Sequence, residues 1–364
     1  MLDRRLSVAP MMGRTDRHCR FFLRGFSARM LLYTEMITTA DLLHGDPARL
    51  LEFDPEEHPV ALQLGGSDPQ ELAAAAQWGE RAGYDEINLN CGCPSDRATG
   101  GVIGAYLMQR PDTVAACVAA VRAAVRVPVT VKMRIGVIEG RGRAAIEAGH
   151  RFDEAEQAAL HRFVAGVRDA GCDAVIVHAR KAVLGGLSAQ DNREIPPLRY
   201  DAVSRVKSAF PDLEVVVNGG LREPGAILAA LGEVDGIMLG REAYHRPVVL
   251  AALDALVFGA GAARDNSRPT GEALEALARV RAIERMQQYA ERQLARGERL
   301  SAIVRHMQGL YADEPGSAEF RRVLSEGARR PGAGAEVLAQ AVAGAGGPEV
   351  PHAAALMRVA AALT

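Results

Sequence analysis

Eight short runs of β-forming residues recur along the first two thirds of the chain, and helical patterns separate them. The runs are 6–10, 31–36, 60–64, 86–90, 127–133, 174–179, 214–220 and 235–240. Several are apolar at consecutive positions, which is typical of parallel strands covered on both faces. Helical patterns such as 69–83 and 111–125 lie between them, with Asp68 and Asp112 near their starts, where a negative charge is favourable. These repeats predict an α/β fold, a (β/α)₈ TIM barrel.

The rest of the chain predicts a second, smaller domain. A barrel of this kind takes roughly 250 residues, whereas the chain has 364. Segment 259–271 is rich in Gly, Ala and polar residues without periodicity, which indicates a linker. After it, apolar residues recur at helical spacing in 272–298, and the later segments keep this helical character. We therefore expect the barrel to be followed by a small all-helical C-terminal domain.

The composition excludes several other classes of protein. Apolar residues make up 48% of the chain and charged residues 24%, a balance that excludes disorder and fibrous repeats. The amino-terminal apolar stretch is short and broken by Pro10, and no run of eighteen residues lacks a charge, so we expect neither secretion nor membrane insertion. Five cysteines, an odd number thinly spread, are expected to be thiols in a reducing cytoplasm.

The net charge of −2 hides an uneven distribution. Residues 279–330 contain eleven arginines against seven acids, whereas residues 1–278 carry a net −5. An acidic body with a basic helical segment is compatible with binding a polyanion. A solvated, arginine-rich helix face explains the same pattern equally well.

Unusual side chains, many of them polar, stand at the ends of several of the predicted strands. In a TIM barrel, the carboxyl ends of the strands and the loops after them build the active site. These residues are Pro10, Met11 and Met12 at the end of the first strand, Gln63 at the end of the third, Asn88, Asn90, Cys91 and Cys93 at the end of the fourth, Lys132 at the end of the fifth, and His178, Arg180 and Lys181 at the end of the sixth. Polar groups at the ends of four strands are harder to explain by packing than one alone.

The last two strands end in a pattern that favours a phosphate site. The seventh run ends in Asn218-Gly219-Gly220, and Gly240-Arg241 closes the eighth. Glycines let backbone N–H groups approach phosphate oxygens closely, and an arginine adds a forked ionic contact. The phosphate would belong either to a sugar phosphate or to flavin mononucleotide (FMN).

Lys132 and Gln63 are compatible with both ligands. The pyrimidine edge of a flavin displays acceptors and an N–H group that suit an amide such as Gln63, and a cation near it stabilises the reduced anion. A lysine can instead form a Schiff base with a sugar-phosphate substrate. The residues alone leave both readings open.

Cys91 and Cys93, at the end of the fourth strand, do not suit a structural zinc site. They are separated by one residue, and no second cysteine pair completes four ligands, so we expect no metal. A disulfide switch is one alternative. A single thiol before the glycine-rich stretch 99–104 suits a proton donor on a mobile loop, because an ordinary thiol is mostly protonated at neutral pH.

A charged excursion, residues 138–159, interrupts the pattern between the fifth and sixth runs. It falls on the side of the barrel where function is usually built. We expect this segment to be an exposed loop whose extra length has no function, rather than a functional insertion.

Taken together, these motifs resemble the tRNA-dihydrouridine synthase family, over about residues 5–330. GCPS (92–95) and HARK (178–181) occur in the order typical of the family, and NREIPPL (192–198) points to its A-type branch. The matching stretches are VAPMMGRTDRHCR (8–20), LLYTEMITT (31–39), EEHPVALQLGGSDP (56–69), GYDEINLNCGCPSDR (83–97), VPVTVKMRIG (127–136), VHARKAVLGGLSAQDNREIPPLRY (177–200), VVNGG (216–220), GIMLGREAY (236–244) and RHMQGLY (305–311).

The resemblance implies an FMN enzyme that reduces uridine at positions 20 and 20a of the tRNA D-loop to 5,6-dihydrouridine, with NADPH as reductant. Cys93 matches the family's proton donor, and Asn90 matches a residue beside the target uridine. The implied flavin contacts are Pro10, Met11, Met12, Gln63, Lys132, His178, Asn218, Gly219, Gly220, Gly240 and Arg241. The implied tRNA contacts, beside Asn90, are Arg180, Gln190, Arg193, Arg321 and Arg322.

The resemblance also gives the predicted domains their roles. Residues 1–260 would form the FMN-binding catalytic barrel, 261–271 the linker, 272–345 the helical tRNA-binding domain and 346–364 an Ala-rich tail. No membrane and no obligatory protein partner are expected. The chain departs from the family pattern at two places: Gln190 stands where a lysine is usual, and the excursion 138–159 is longer.

The implied chemistry follows from the polarity of uracil. Its C5=C6 bond is conjugated to the C4 carbonyl, so a hydride adds at C6 and a proton, from Cys93, at C5. NADPH and RNA would use the same flavin face in turn, and the base would leave the stacked tRNA to reach the barrel. Two other classes remain: a flavin ene-reductase or dihydropyrimidine dehydrogenase acting on a free small molecule, and a non-catalytic RNA-binding protein.

Overall fold

The chain folds around a closed barrel of eight parallel strands, as the sequence predicts. The computed structural model describes residues 2–94, 103–185, 187–259 and 271–346. In these ranges the strands are β1 (Leu6–Val8), β2 (Leu31–Thr38), β3 (Val60–Gly65), β4 (Glu86–Cys91), β5 (Val129–Arg134), β6 (Val137–Glu139), β7 (Ala174–His178), β8 (Ala182–Leu184), β9 (Glu214–Asn218) and β10 (Gly236–Leu239). The barrel closes in the order β1-β10-β9-β7-β5-β4-β3-β2. All eight predicted runs are confirmed as its strands.

Helices connect the strands and continue after the last one. The α-helices of the described ranges are α1 (Arg17–Arg24), α2 (Thr39–His44), α3 (Pro47–Leu50), α4 (Pro69–Ala82), α5 (Pro111–Ala124), α6 (Gly142–His150), α7 (Glu154–Asp169), α8 (Tyr200–Ala209), α9 (Pro224–Leu231), α10 (Arg241–His245), α11 (Val249–Phe258), α12 (Gly271–Ala295), α13 (Leu300–Val304), α14 (Ser317–Gly327) and α15 (Glu336–Gly344). Short 3₁₀ helices cover Pro55–Glu57, Gly104–Gln109, Asp191–Arg193 and Arg305–Met307.

Local sequence explains where α4 begins and ends. The Asp68 carboxylate accepts hydrogen bonds from the backbone N–H groups of Gln70 and Glu71, which the first turn leaves without partners. Pro69 occupies the first helical position, where its missing N–H costs nothing. Gly83 ends the helix in the left-handed region, with φ of 99°. Asp68 therefore has the capping role that its position predicts.

Side chains at alternate positions of β4 and β5 share one face, which is turned to the interior of the barrel. Asn88 is paired in register with Thr130, and Asn90 with Lys132. Lys132 reaches Asn218 of β9 although β7 lies between the two strands, a contact that only the barrel interior permits. The intervening residues of β4, such as Ile87, are apolar and buried. The barrel interior is therefore unusually polar at these positions.

The excursion 138–159 is not the exposed loop that we expected from its sequence. It contains most of β6, all of α6 and the start of α7. β6 pairs in parallel with β8 in a small two-stranded sheet. Glu156, at the start of α7, forms an ion pair with the buried Lys181. Periodicity missed this structure because β6 is only three residues long and its partner β8 lies more than 40 positions away.

The chain divides into two compact units. The first comprises residues 1–13 and 31–240 and contains the barrel strands; the second comprises 14–30 and 241–364. The helices α1, α10 and α11 thus belong to the second unit, although we assigned residues 1–260 to one catalytic domain. The functional boundaries at 260, 271 and 345 stay predictions, and the linker 261–271 and the tail 346–364 lie almost wholly outside the described residues.

Within the second unit, α1 packs against α12 through aromatic side chains. The rings of Phe21 and Tyr289 stack with their centroids 3.9 Å apart, and the Tyr289 hydroxyl lies 2.8 Å from Nδ1 of the buried His18. Asp16, which caps α1, forms ion pairs with Arg305 and His306. Several basic residues of this unit therefore have acidic or aromatic partners within it. In the part of the chain that the structure describes, no helix is both long and apolar enough to cross a membrane.

Candidate active site at the barrel mouth

Cys93 lies just beyond β4 and its backbone is held in place. The Oδ1 atom of Asn90 accepts hydrogen bonds from the backbone N–H groups of Gly92 and Cys93, at 3.1 and 3.0 Å. The carbonyl of Cys93 accepts the N–H of Ala105 at 2.8 Å. A Cβ on Gly104 would lie 2.4 Å from that carbonyl, so only glycine fits there. The thiol therefore sits on a backbone fixed from both sides.

The neighbouring Cys91 differs sharply from Cys93. Cys91 is 1% exposed, and burial raises the pKa of its thiol far above the ordinary value. Cys93 is partly exposed. Of the two thiols, Cys93 is the one that a substrate can reach. Most of the glycine-rich stretch 99–104 lies outside the described residues, which resume at Ile103.

Gln63 lies at the centre of a buried group of amides. Its Nε2 donates to Asn88 Oδ1 at 2.7 Å, and its Oε1 accepts from Asn90 Nδ2 at 2.7 Å. Its backbone N–H donates to the Thr34 hydroxyl at 3.0 Å. The structure therefore brings together three of the residues that the sequence singled out.

Lys132 and Asn218 form a second polar group. Lys132 Nζ donates to Asn218 Oδ1 at 3.1 Å, and Asn218 Nδ2 donates to the carbonyl of Met238 at 2.7 Å. Burial, with a contribution from the Arg134 guanidinium, lowers the pKa of Lys132 to about 7. Near neutral pH this lysine therefore gains or loses its proton readily, and a nearby negative charge would keep it protonated.

His178 is uncharged at neutral pH. Burial lowers its pKa well below the ordinary value, and the cations Arg134 and Lys132 lower it further. It adjoins Gly219, where a Cβ would lie 2.7 Å from the imidazole. Gly219 and Gly220 have φ of 118° and 67°, which favour glycine. The Asn218-Gly219-Gly220 turn is thus packed directly against His178.

Arg134 lies among the candidate site residues, although the sequence analysis did not single it out. It is 2% exposed and donates to the backbone carbonyls of Gly92, Lys181 and Asn192, at 2.9, 3.0 and 2.9 Å. Burial lowers its pKa to about 10, so it stays charged at neutral pH. Arg134 therefore connects the loops that follow β4, β7 and β8. Its position two residues after Lys132, on the same face of β5, was the available signal.

The loop that carries Gln190 and Arg193 is fixed by a buried asparagine. Asn192 exchanges hydrogen bonds with both backbone groups of Val183, at 2.7 and 2.9 Å. Gln190 and Arg193 themselves are exposed. Arg180 donates to the carbonyls of Glu194 and Pro196 in the same loop. The loop between β8 and α8 thus carries Gln190 and Arg193, and Arg180, which lies between β7 and β8, is hydrogen-bonded to it.

The remaining predicted residues follow other strands or belong to the second unit. Pro10 and Met11 follow β1 and are half-buried, while Met12 is 62% exposed. Gly240 follows β10, and Arg241 begins α10 in the second unit. Arg321 and Arg322 lie on α14, also in the second unit, and both are exposed. Arg322 forms ion pairs with Glu319 and Glu326.

In the described ranges, one cavity lies away from the polar groups described above. A cavity of about 560 Å³ lies beside α2 and α3, lined by residues including Asp41, His44 and Arg49, and contains none of the predicted site residues. Within those ranges no group of three or more His, Cys, Asp or Glu side chains is arranged to hold a metal ion.

Comparison with known proteins identifies the family. The family model described as dihydrouridine synthase (Dus) matches residues 7–345. The chain is 51% identical to the tRNA-dihydrouridine(20/20a) synthase of Pseudomonas aeruginosa, covering 89% of this chain and 90% of that protein. It is 50% identical to the protein of that name from Xanthomonas axonopodis (93% of each chain) and 47% identical to that from Vibrio cholerae (93% of this chain and 96% of the other). The chain therefore belongs to the dihydrouridine synthase family.

Proposed function

We propose that this enzyme reduces uridine at positions 20 and 20a of tRNA to 5,6-dihydrouridine, with FMN as cofactor and NADPH as reductant. Dus enzymes depend on a flavin and act on uridine in tRNA. The observation that carries the proposal is the accessible thiol of Cys93, held at the end of β4 in a chain about half identical to enzymes named for positions 20 and 20a.

The residues around the barrel mouth fit a flavin mononucleotide. Gln63 uses one donor and one acceptor within the protein, which leaves its amide a second N–H and a second lone pair for a flavin edge. Lys132 has one hydrogen bond from an ammonium group with three donors. Pro10, Met11, Met12, His178 and the glycine turns 218–220 and 240–241 would complete the binding site, with Arg241 on the phosphate.

The reaction needs a hydride and a proton, delivered to different carbons. When bound and reduced, a flavin supplies the hydride. Hydride addition at C6 leaves a negative charge shared between C5 and the C4 carbonyl oxygen, so C5 must be protonated. Cys93 donates this proton as a general acid, and Lys132, as a cation with a labile proton, balances negative charge on the cofactor.

Recognition of tRNA would use the loop between β8 and α8 and the basic helical segment. Arg193 and Gln190 are exposed on that loop, and Arg321 and Arg322 are exposed on α14. Arginine contacts to phosphates position an RNA, and an extruded base is read by hydrogen bonds in the site. We place the enzyme in the cytoplasm, where its five cysteines stay reduced and tRNA is present.

Mapping of dihydrouridine in cellular tRNA tests this proposal. Cells that lack the protein should lose dihydrouridine at positions 20 and 20a and keep it elsewhere. A plasmid copy should restore it, whereas a Cys93→Ala copy should not. An unchanged modification pattern without the protein, in cells with no second enzyme of this branch, would contradict the proposal.

A further inference from the structure

A chain of buried side-chain hydrogen bonds begins at Glu86, the first residue of β4. Thr130 Oγ1 donates to Glu86 Oε1 at 2.6 Å. Asn88 Nδ2 then donates to Thr130 Oγ1 at 2.8 Å. All three side chains are fully buried.

The same chain continues to the loop that carries Cys93. Gln63 Nε2 donates to Asn88 Oδ1, and Asn90 Nδ2 donates to Gln63 Oε1, each at 2.7 Å. Asn90 Oδ1 accepts from the backbone N–H groups of Gly92 and Cys93. An unbroken series of hydrogen bonds therefore connects the buried carboxylate of Glu86 with the loop that carries Cys93.

The carboxylate of Glu86 fixes the direction, donor to acceptor, in which these hydrogen bonds run. Glu86 also accepts from Arg4 Nε at 2.7 Å and from the Tyr33 hydroxyl at 2.6 Å. Burial and the neighbouring Glu86 raise the pKa of Tyr33, so its hydroxyl keeps the proton and donates. Since a carboxylate paired with arginine only accepts, the Thr130 hydroxyl must donate to it and take Asn88 Nδ2 as its own donor.

The backbone end requires the same direction. N–H groups only donate, so the oxygen of Asn90, and not its nitrogen, must face Gly92 and Cys93. With both ends fixed, reversing any one amide would place two donors or two acceptors together in a buried site. Each such mismatch leaves buried polar groups unpaired.

A count of hydrogen-bonding positions shows what Asn90 can still offer. Both lone pairs of Oδ1 are used by the loop, and one N–H is used by Gln63. What remains is a single N–H donor. Such a donor matches the carbonyl oxygen at C4 of uracil. The amino group at C4 of cytosine is itself a donor and would not accept this hydrogen bond.

We propose that Thr130 and Asn88 are positioning residues, which lock the amides of Gln63 and Asn90 so that Gln63 is oriented for the flavin and Asn90 presents an N–H donor to the target base. This inference rests on the proposed function, because it takes the flavin and the uridine as the groups that these amides meet. Neither positioning residue needs to touch them.

The test compares Thr130→Val, which has the same shape but no hydroxyl, with Thr130→Ser, which keeps the hydroxyl. The full-length variants are titrated with FMN, and the tRNA half-reaction is followed in single turnovers at saturating FMN and tRNA. We expect Thr130→Val to bind FMN about tenfold more weakly, or to reduce tRNA about tenfold more slowly, as for one lost buried hydrogen bond. Thr130→Ser should stay within about twofold of the wild type.

A matched control separates positioning from general stability. Ser7 is also a buried barrel hydroxyl, and it donates to the carbonyl of Ile237 outside the chain of amides. Ser7→Ala should lower the unfolding temperature without changing FMN affinity or the tRNA rate. If Thr130→Val does not fold, Thr130→Cys, with a weakly bonding thiol, replaces it and should show an intermediate loss.

Two outcomes would overturn the inference: Thr130→Val matching Thr130→Ser in both quantities, or Ser7→Ala losing as much as Thr130→Val. Failure of the proposed function would look different. In that case the wild-type protein itself would not reduce uridine in tRNA, while the FMN titrations would still decide whether Thr130 orients Gln63.

Discussion

Lys132 donates a hydrogen bond to Asn218, Nζ to Oδ1 over 3.1 Å, and so joins β5 to β9 across the intervening β7. The two residues stand 86 positions apart in the sequence. Their contact places a labile proton beside the Asn218-Gly219-Gly220 turn. If the cofactor binds here as proposed, we expect its affinity to depend on pH.

We predict that FMN affinity falls as the pH rises from 7 to 9. Below pH 7 Lys132 is already protonated, because its pKa is about 7. Above pH 7 the flavin must bind together with a proton, so the dissociation constant should rise up to about tenfold per pH unit. Fluorescence titrations of the flavin-free protein measure this dependence.

Lys132→Met should bind FMN more weakly and lose most of that pH dependence. Lys207→Met is a suitable control, because Lys207 pairs with Asp235 away from the site. A pH dependence that persists unchanged in Lys132→Met would assign the proton to another group.

Cys93→Ala should slow the reduction of tRNA by about 10²–10⁴-fold, the usual contribution of a general acid. NADPH oxidation should change little, since that half-reaction needs no proton at C5. Single-turnover kinetics separate the two steps. Cys91→Ala is the matched control and should leave both steps nearly intact, because its thiol is buried and stays protonated. A slow Cys91→Ala with a normal Cys93→Ala would mean that the wrong thiol is assigned.

Arg134→Met should destabilise the protein by about 3 kcal/mol or more. The change leaves three backbone carbonyls without their buried donor, each at a cost of about 1–3 kcal/mol. Urea unfolding measures the difference. Arg168→Met removes an exposed pair with Asp169 and should cost less than about 1 kcal/mol. Equal effects of the two changes would show that Arg134 does not hold the loops.

Arg193→Ala and the double change Arg321→Ala/Arg322→Ala should weaken tRNA binding and flatten its salt dependence. Each lost phosphate contact removes about one unit from the slope of log affinity against log salt. Arg322 can exchange its partners Glu319 and Glu326 for phosphate, since exposed ion pairs are weak. Gln190→Lys should tighten binding or leave it unchanged.

Filter-binding titrations over a salt series, with FMN content checked, measure these effects. Arg143→Ala removes another exposed arginine, on α6, that pairs with Glu147, and it serves as the control. A salt slope that stays the same in both test variants would remove these residues from the tRNA interface.

The sequence predicts the barrel well because its signals are local. Apolar strands at regular spacing, and an aspartate at the start of α4, depend only on neighbouring residues. β6 and β8 were missed because each has three residues and is stabilised by its partner, which lies more than 40 positions away. The assignment of α1 to the second unit was missed for the same reason, since its contacts with α12 are distant in sequence.

The candidate site was predictable as a set of strand ends but not as a network. Gln63, Asn90, Lys132 and Asn218 stand out as polar residues in apolar strands. Their hydrogen bonds depend on the register of β3, β4 and β5, which the sequence does not state. The alternation of Glu86, Asn88 and Asn90 along β4 was a readable sign that one polar face turns inward.

The most direct test of this account is the reaction of the purified, FMN-loaded protein with an unmodified tRNA transcript and NADPH. Digestion and mass spectrometry then locate each base that gains two hydrogen atoms. We predict that uridines 20 and 20a gain them in the wild type and that Cys93→Ala leaves them unreduced on the same timescale. Oxidation of NADPH without any reduced uridine, or reduction of uridines only at other positions, would contradict the account.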